Sequence, residues 1–396
     1  MLRLIVGITF FLTTIGLILY VLGRRLLGPL RGASRGAKIG WAIYGVYVAL
    51  ALFSLPLVRS LEPSLLRTML QWAGFTAFGI TALLVGFSAI RELVLGLHWL
   101  YIQLTKGNKS PEDWTKVQGR RDFLQKVTAG AVVAATAGTT AKGISNARQT
   151  AALKYVDIPV QALDPALDGL RILLMTDIHV GDTIGRKYFQ AIVDRAMSVD
   201  VDLICITGDL VDGSVLQLRH DIEPIDQLQA PLGVYFVTGN HEYYSGVEDW
   251  IAELKHRGID VLEDEHRVLE RGGAPFVLAG IHDYKAKTII PEHLSDPAKA
   301  LAGAPETSLC VLMAHQPISH TQIEGLPIDL QLSGHTHGGQ IWPFGLLVPL
   351  QQRFVAGLHK VYHRTWLYIS RGTGYWGPPM RVGSPAEITV LTIRRA

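Results

Sequence analysis

Cysteine is nearly missing from this chain of 396 residues, which holds two, Cys205 and Cys310. A disulfide scaffold and a cysteine-built zinc finger are thereby excluded. Each thiol sits in an apolar run, Leu203-Ile204-Cys205-Ile206 and Leu309-Cys310-Val311-Leu312, so both read as free, buried cysteines. Charge is scarce as well, 18% of residues against about 25% in an average soluble protein. With 48% hydrophobic residues, the composition is neither that of a disordered chain nor that of a purely soluble one. No repeat of 20–50 residues is visible.

Acidic residues are missing from one end in particular. Residues 1–150 carry 17 Lys/Arg and 5 Asp/Glu, whereas residues 151–396 carry 20 and 29. Thirteen of the 14 histidines follow residue 150. A basic, apolar front end (1–150) therefore joins an acidic, His-rich end (151–396). An acidic domain repels phosphate backbones, which argues against a nucleic-acid partner.

Residues 4–22, 39–58 and 68–90 contain no charged side chain. Each is long enough to cross a hydrocarbon core of ~30 Å as a helix. A weaker fourth span, 127–141, is Ala/Gly/Thr-rich and short. It follows Arg120-Arg121-Asp122-Phe123-Leu124, which resembles a twin-arginine export signal placed internally; the alternative is a charged helix end that spells the motif. Basic loops stay cytoplasmic. Residues 23–38 (Arg24, Arg25, Arg31, Arg35, Lys38) and 97–126 (Lys106, Lys109, Lys116, Arg120, Arg121, Lys126) are such loops, whereas 59–67 has Arg59 and Arg67 alone. The N-terminus then faces out. With 127–141 spanning, the C-terminal domain faces out too, giving a multi-pass protein of the cytoplasmic (inner) membrane with its globular domain on the outer, periplasmic face. Without that span the domain is cytoplasmic.

After residue 150, short apolar runs recur at 170–175, 203–207, 234–238, 276–279, 309–314 and 330–333, with helix-like stretches such as 186–197 and 247–257 between them. That pattern predicts α/β, with strands buried on both faces. Runs at 366–370 and 387–393 lack preceding helices and suggest a more antiparallel second sheet.

Five of the runs end in polar clusters. They are Asp177-Ile178-His179, Gly208-Asp209 with Asp212, Gly239-Asn240-His241-Glu242, His315-Gln316-Pro317 and Gly334-His335-Thr336-His337-Gly338-Gly339. Ligand sites of open α/β sheets lie beyond the carboxyl ends of strands. Asp-x-His and His-x-His place two side chains on one side of an extended segment. Two such pairs (Asp177/His179 and His335/His337), with Asp209, Asn240 and His315, make seven ligand groups. That number suits two divalent ions sharing a carboxylate. Mixed nitrogen and oxygen donors without sulfur favour Mn, Fe, Zn or Co.

These blocks, in this order over about residues 155–396, resemble the calcineurin-like metallophosphoesterase superfamily. Ser333–Trp342 and the tail Ser370-Arg371-Gly372-Thr373-Gly374 with Pro378-Pro379-Met380-Arg381 are similar to its membrane-attached or exported bacterial branch. The resemblance implies a two-sheet β-sandwich flanked by helices, preceded here by a helical transmembrane region. It implies that Asp177, His179 and His337 hold one metal, that Asp209 bridges, and that Asn240, His315 and His335 hold the second. His241 would face the substrate as the catalytic acid, oriented by Asp212. The implied activity is hydrolysis of a phosphomonoester, phosphodiester or diphosphate by metal-activated water. Because relatives include enzymes that cleave the diphosphate of UDP-diacylglucosamine, a lipid-linked or cell-envelope substrate is expected. A membrane sensor and a non-catalytic metal-binding scaffold are the alternatives.

Arg371 and Arg381 are candidates to grip the phosphate bidentately, or else pair with surface acids. Tyr375 and Trp376 either dip into a bilayer interface or pack as core. His282-Asp283 follows a strand and is a candidate to rim the site, the alternative being an ordinary solvated pair. His220, His256, His266, His293, His320, His359 and His363 read as solvated surface side chains.

Overall fold

The long uncharged runs become long helices: α1 (Leu2–Leu27), α2 (Arg35–Val58), α3 (Leu65–Leu104) and α4 (Pro111–Ala147). The computed structural model describes residues 2–28, 35–58, 61, 64–105 and 111–396. The loop cations Arg31, Arg59, Lys106 and Lys109 lie outside the described residues, as do the side chains of Lys116, Arg120 and Arg121. Among the described residues, α2 over Arg35–Ser54 and α3 are long and apolar enough to cross a membrane. Their large apolar side chains point outward: Ile43, Val46 and Phe53 of α2, and Leu65, Met69, Leu93 and Leu97 of α3, are exposed. Water would penalise such a surface and lipid would not. Helix α3 runs 40 residues, well past the expected 68–90. Stretch 127–141 and the arginine pair before it fall within the single helix α4.

The chain divides into two compact units. The first comprises residues 1–145 with Ile341–Pro343 and Pro378–Met380, and the second comprises Asn146–Gln340, Phe344–Gly377 and Arg381–Ala396. In the first, Leu22 and Leu26 of α1, Leu84 of α3, and Ala129 and Val132 of α4 form a buried cluster. Arg91 of α3 is buried, donating from Nε to Thr128 Oγ1 at 2.9 Å and pairing with Glu92 at 2.6 Å.

The second unit holds twelve strands among the described residues: β1 (Ala152–Val160), β2 (Arg171–Met175), β3 (Leu203–Thr207), β4 (Val234–Val237), β5 (Asp260–Val261), β6 (Glu265–Arg271), β7 (Ala274–Gly280), β8 (Cys310–Met313), β9 (Leu330–Ser333), β10 (Gly357–Lys360), β11 (Trp366–Ile369) and β12 (Glu387–Arg395). Its helices are α5 (Arg186–Ala196), α6 (Val215–Leu218), α7 (Asn240–Ser245), α8 (Val247–His256) and α9 (Pro297–Ala300). One six-stranded sheet has the order β1-β12-β2-β3-β4-β5 and the other β10-β11-β9-β8-β7-β6. Strands β2 to β5 are parallel, as are β7, β8, β9 and β11. This is the α/β two-sheet sandwich flanked by helices that the blocks implied.

The last strand departs from expectation. The run at 387–393 joins the first sheet, between β1 and β2. Its residues are buried almost throughout, and a strand buried on both faces does not betray which sheet it completes. The second sheet is mostly parallel and antiparallel at its two edges, β6–β7 and β10–β11. Strands β1, β5, β6 and β10 were not expected; all four are edge strands, β5 is only two residues long, and the mixed burial of the others gives weak periodicity.

Between the sheets pack Ile172, Leu174, Cys205, Val237, Phe276, Leu278, Val311, Leu332, Tyr368 and Leu391. On the outer face of the first sheet lie Phe189, Ile192 and Val193 of α5 and Trp250, Ile251 and Leu254 of α8. Cys205 and Cys310 are free and buried, on β3 and β8, in different sheets. Trp250 anchors this layer: it is fully buried and donates from Nε1 to Gly213 O at 2.9 Å. Trp250→Ala should cost about 3–5 kcal/mol from the cavity and the lost hydrogen bond. Far-UV circular dichroism of the detergent-solubilised chain in denaturant checks this, with the midpoint lowered and the slope unchanged.

Candidate metal centre

Parallel strands of both sheets deliver their carboxyl ends to one rim. Beyond β2 come Asp177 and His179, beyond β3 Asp209 and Asp212, and beyond β4 Asn240 and His241; beyond β8 comes His315, and beyond β9 His335 and His337. Nine non-glycine residues among those described have positive φ, and five of them are Asp177, His179, Asp209, His335 and His337. Left-handed backbone is costly for such residues and concentrates where the surroundings enforce it at functional sites. Here it turns each chain sharply at the strand end.

Glycines make the crowding possible. A Cβ on Gly239 would lie 2.2 Å from Asp209 Oδ1, and one on Gly334 2.2 Å from Asp177 Oδ2. The Arg371–Gly374 turn packs on the first cluster, with Gly374 N–H donating to Asp177 O at 2.9 Å and Thr373 N–H to Thr176 O at 2.8 Å.

Ligand atoms of Asp177, His179 and His337 converge in one group, and those of Asp209, His315 and His335 in another. His179 Nε2 lies 3.1 Å from His337 Nε2, and His337 Nε2 lies 3.5 Å from Asp177 Oδ1. In the second group, His315 Nε2 lies 3.1 Å from Asp209 Oδ2 and 3.2 Å from His335 Nδ1. Asp209 Oδ2 also lies 3.8 Å from His179 Nε2, so one carboxylate oxygen faces both groups. Its Oδ1 accepts the His241 backbone N–H at 2.8 Å. Asn240, the remaining candidate, begins α7 and is buried, yet its side-chain Oδ1 has no hydrogen-bond partner. An orphaned carbonyl oxygen beside buried carboxylates and imidazoles is what a cation would satisfy.

The electrostatics agree. Burial, reinforced by cationic histidine neighbours, lowers the His335 pKa to about 3 and holds His337 well below normal. Both rings are thus neutral, the ligating form. Burial opposes the charge on Asp209, but His315 and His241 overcome it and hold this carboxyl well below the usual range. Asp177, with less compensation, is pushed up by burial.

His241 stands on α7 beside these groups. Asp212 Oδ1 lies 2.6 Å from His241 Nδ1 and 3.0 Å from His179 Nδ1. One carboxylate oxygen thereby orients both rings and turns each Nε2 inward. Burial disfavours the His241 cation, but Asp209 and Asp212 raise its pKa to about 9. Tyr244 and Trp376, both exposed, flank its ring at centroid distances of 5.3 and 5.6 Å.

The two arginines sit in different surroundings. Arg381 is not open to a ligand: it is fully buried, donating to Gly374 O (2.8 Å), Arg371 O (2.9 Å), Ser384 O (3.0 Å) and Gly372 O (3.3 Å). It braces the turn behind the first cluster. Arg371 is 38% exposed at its side chain, with Glu387 Oε2 at 3.9 Å. Tyr375 packs as core, its hydroxyl donating to Thr183 O at 2.9 Å, whereas Trp376 stays outside. His320 is buried rather than solvated, its Nδ1 bonded to Pro317 O at 2.9 Å, because the Pro317–Gln322 turn folds inward. His293 is half-buried, stacked on His282. Asp283 lies under the rim, accepting from Gln316 Nε2 at 2.9 Å.

Sequence reasoning passed over Glu242. It is buried and accepts from the N–H groups of Gly239 (2.7 Å), Leu210 (2.8 Å) and Asp209 (2.9 Å). Its carboxylate ties the β3 and β4 turns together. The available signal was its place at the third position of a helix, where a Glu reaches back to the N-cap amide.

A family model for the calcineurin-like phosphoesterase matches residues 170–339. A Danio rerio protein named "Transmembrane protein with metallophosphoesterase domain" is 38% identical over 328 residues, 79% of this chain and 74% of that one. A Bos taurus protein of the same name is 40% identical over 264 residues, 64% of this chain and 60% of its own. A Helicobacter pylori protein named "Uncharacterized metallophosphoesterase" is 38% identical over 241 residues, 61% of this chain and 64% of its own.

Gly239→Ala should displace Asp209, since the new methyl cannot share space with its carboxylate. Metal affinity is expected to fall by about 10–100-fold, as for other perturbations of ligand support. Inductively coupled plasma mass spectrometry of the variant after dialysis checks the loss, and circular dichroism checks that the fold persists.

Proposed function

The chain belongs to the calcineurin-like phosphoesterases and is a phosphoester hydrolase, and we propose that it is a membrane-anchored enzyme with a two-metal centre. The observation that carries this reading is Asp209 Oδ2 lying between the two ligand groups, 3.1 Å from His315 Nε2 and 3.8 Å from His179 Nε2. Asp177, His179 and His337 would hold one divalent ion, Asn240, His315 and His335 the other, and Asp209 both. Mn, Fe, Zn or Co suits this donor set. When bound, a pair of such ions clamps phosphoryl oxygens and makes hydroxide available near neutral pH.

The remaining work falls to residues of this chain. His241, kept cationic by Asp209 and Asp212, donates the Nε2 proton to the departing oxygen as charge develops there. Asp212 fixes its tautomer and holds His179 in register. Arg371 reaches for a non-reacting phosphate oxygen. Arg381 acts from beneath, by positioning the Arg371–Gly374 carbonyls.

Residues 1–150 act as the transmembrane region and 151–396 as the catalytic domain. The outward apolar faces of α2 and α3 support membrane anchoring. The positive charge of segments 23–38 and 97–126 supports a multi-pass arrangement in the cytoplasmic membrane with the catalytic domain outside. That confinement supports a substrate held at the bilayer, lipid-linked or of the cell envelope. Reporter fusions after residue 150 test the orientation, and a reporter active only in the cytoplasm overturns it.

The detergent-purified chain with Mn2+ is tested on monoester, diester, nucleotide-diphosphate and lipid-phosphate substrates. Asp209→Asn should abolish turnover on whichever class is cleaved. His241→Ala should lower kcat by roughly 10²–10⁴-fold with metal content retained; unchanged turnover removes the acid role. The pH profile gives an independent check. A raised pKa keeps His241 protonated at neutral pH, and its acid form is lost as pH rises through that value. Asp212→Asn removes one source of the shift, so the alkaline limb of kcat/KM should move to lower pH.

A further inference from the structure

A second group of metal-ligating side chains lies outside the seven residues described above. Glu263, His282 and His293 each place one ligand atom within 4.8 Å of the others. The pairing of β6 with β7 sets Glu265 opposite Gly280. The residues just before β6 therefore meet those just after β7, bringing Glu263 and Asp264 to His282. His293 arrives from the loop ahead of α9.

Three features distinguish this group from a chance surface cluster. First, His282 and His293 stack with centroids 4.1 Å apart and planes 11° from parallel. Two imidazolium rings would repel one another in that arrangement, so at least one ring is neutral. A neutral ring is the ligating form. Second, a single hydroxyl serves both rings. Tyr243 Oη lies 3.2 Å from His282 Nδ1 and 2.8 Å from His293 Nδ1. A hydroxyl oxygen can accept from two Nδ1–H groups, which leaves the other nitrogen of each ring with its lone pair. Outer partners of this kind fix the tautomer of ligating histidines. Third, Asp264 is 97% buried, has positive φ, and carries an Oδ2 with no hydrogen-bond partner. Its Oδ1 accepts the His282 backbone N–H at 3.1 Å, which holds the carboxylate against the group. The cations nearby are lysines: Lys299 Nζ at 3.8 Å from Asp264 Oδ2, and Lys255 Nζ at 2.5 Å from Glu263 Oε1.

We propose that Glu263, His282 and His293, with Asp264 behind them, form a separate site for one divalent transition ion of the zinc class. Two imidazoles and carboxylate oxygens match its preferred donors. Binding requires the rings to tilt out of their stack toward the ion and Lys255 to yield Glu263. The ion would tie the start of β6 to the end of β7. Through Tyr243 it would brace α7, the helix that begins with Asn240 and His241. Its role is structural, and it shares no ligand with the catalytic centre.

The test counts metal rather than turnover. The full chain in detergent is stripped with a chelator, reloaded with Zn2+, dialysed and measured by plasma mass spectrometry. The His282→Ala, His293→Ala double variant should hold one equivalent less than the parent. In a His335→Ala, His337→Ala background, which weakens the catalytic centre, one equivalent should remain and then vanish when His282 and His293 are also replaced. Equal zinc with and without His282 and His293, in both backgrounds, overturns the proposal. Because His282 is buried, His293→Gln provides a milder variant. In the same His335→Ala, His337→Ala background, Zn2+ should raise the thermal midpoint of the chain carrying His293 and not that of the His293→Gln chain. An equal rise in both also overturns it.

Discussion

A charged carboxylate in a dry place is the constraint on which this site rests. Asp209 is 2% exposed, and an isolated carboxylate there would neutralise itself. It stays ionised because His315 and His241 compensate it and because its oxygens are occupied from opposite sides. Its own amide is held by Glu242, a second buried carboxyl spent on backbone donors. Removing either acid would leave buried groups unpaired, which costs more than the net worth of the hydrogen bonds lost. The turns after β3 and β4 are therefore held by the same charges that prepare the site for cations.

The backbone bears the corresponding strain. Five candidate ligands in left-handed conformation persist because the sandwich core beneath them is continuous across both sheets. Parallel strands do the placing. Since β2, β3 and β4 run in one direction within one sheet and β8 and β9 do so in the other, five turns open on the same rim without long excursions. Glycine is needed where two of these turns touch, as Gly239 does against Asp209.

Much of this was legible in the residues. Fully buried parallel strands read as uninterrupted apolar runs, so β2, β3, β4, β8 and β9 and their polar ends stood out. What stayed hidden depends on contacts distant in sequence. Strand β12 could join either sheet because it is apolar on both faces. The burial of His320 and the stacking of His293 on His282 are set by where loops fold, and no local pattern encodes that. Arg381 looked like a phosphate ligand because its type suits one, yet four backbone carbonyls claim it. A guanidinium offers five donors and cannot be discharged at ordinary pH, so a turn rich in inward-pointing carbonyls is a sufficient reason to bury one.

Asp212 shows how support and chemistry share a single atom. Its Oδ1 takes both His179 and His241, so the ring expected to hold a metal and the ring expected to deliver a proton answer to one carboxylate. A change that withdraws that oxygen must loosen the first and discharge the second together. The two effects differ in their pH signature. Loss of ligand support lowers activity across the whole range, whereas loss of the counter-charge moves the alkaline limb alone. Trp376 closes the open side of His241, held there by Gln340, whose side chain donates to Trp376 O at 2.8 Å and accepts its N–H at 2.9 Å. The His241 ring is thus held on one side by the Asp212 carboxylate and flanked on the other by the Tyr244 and Trp376 rings.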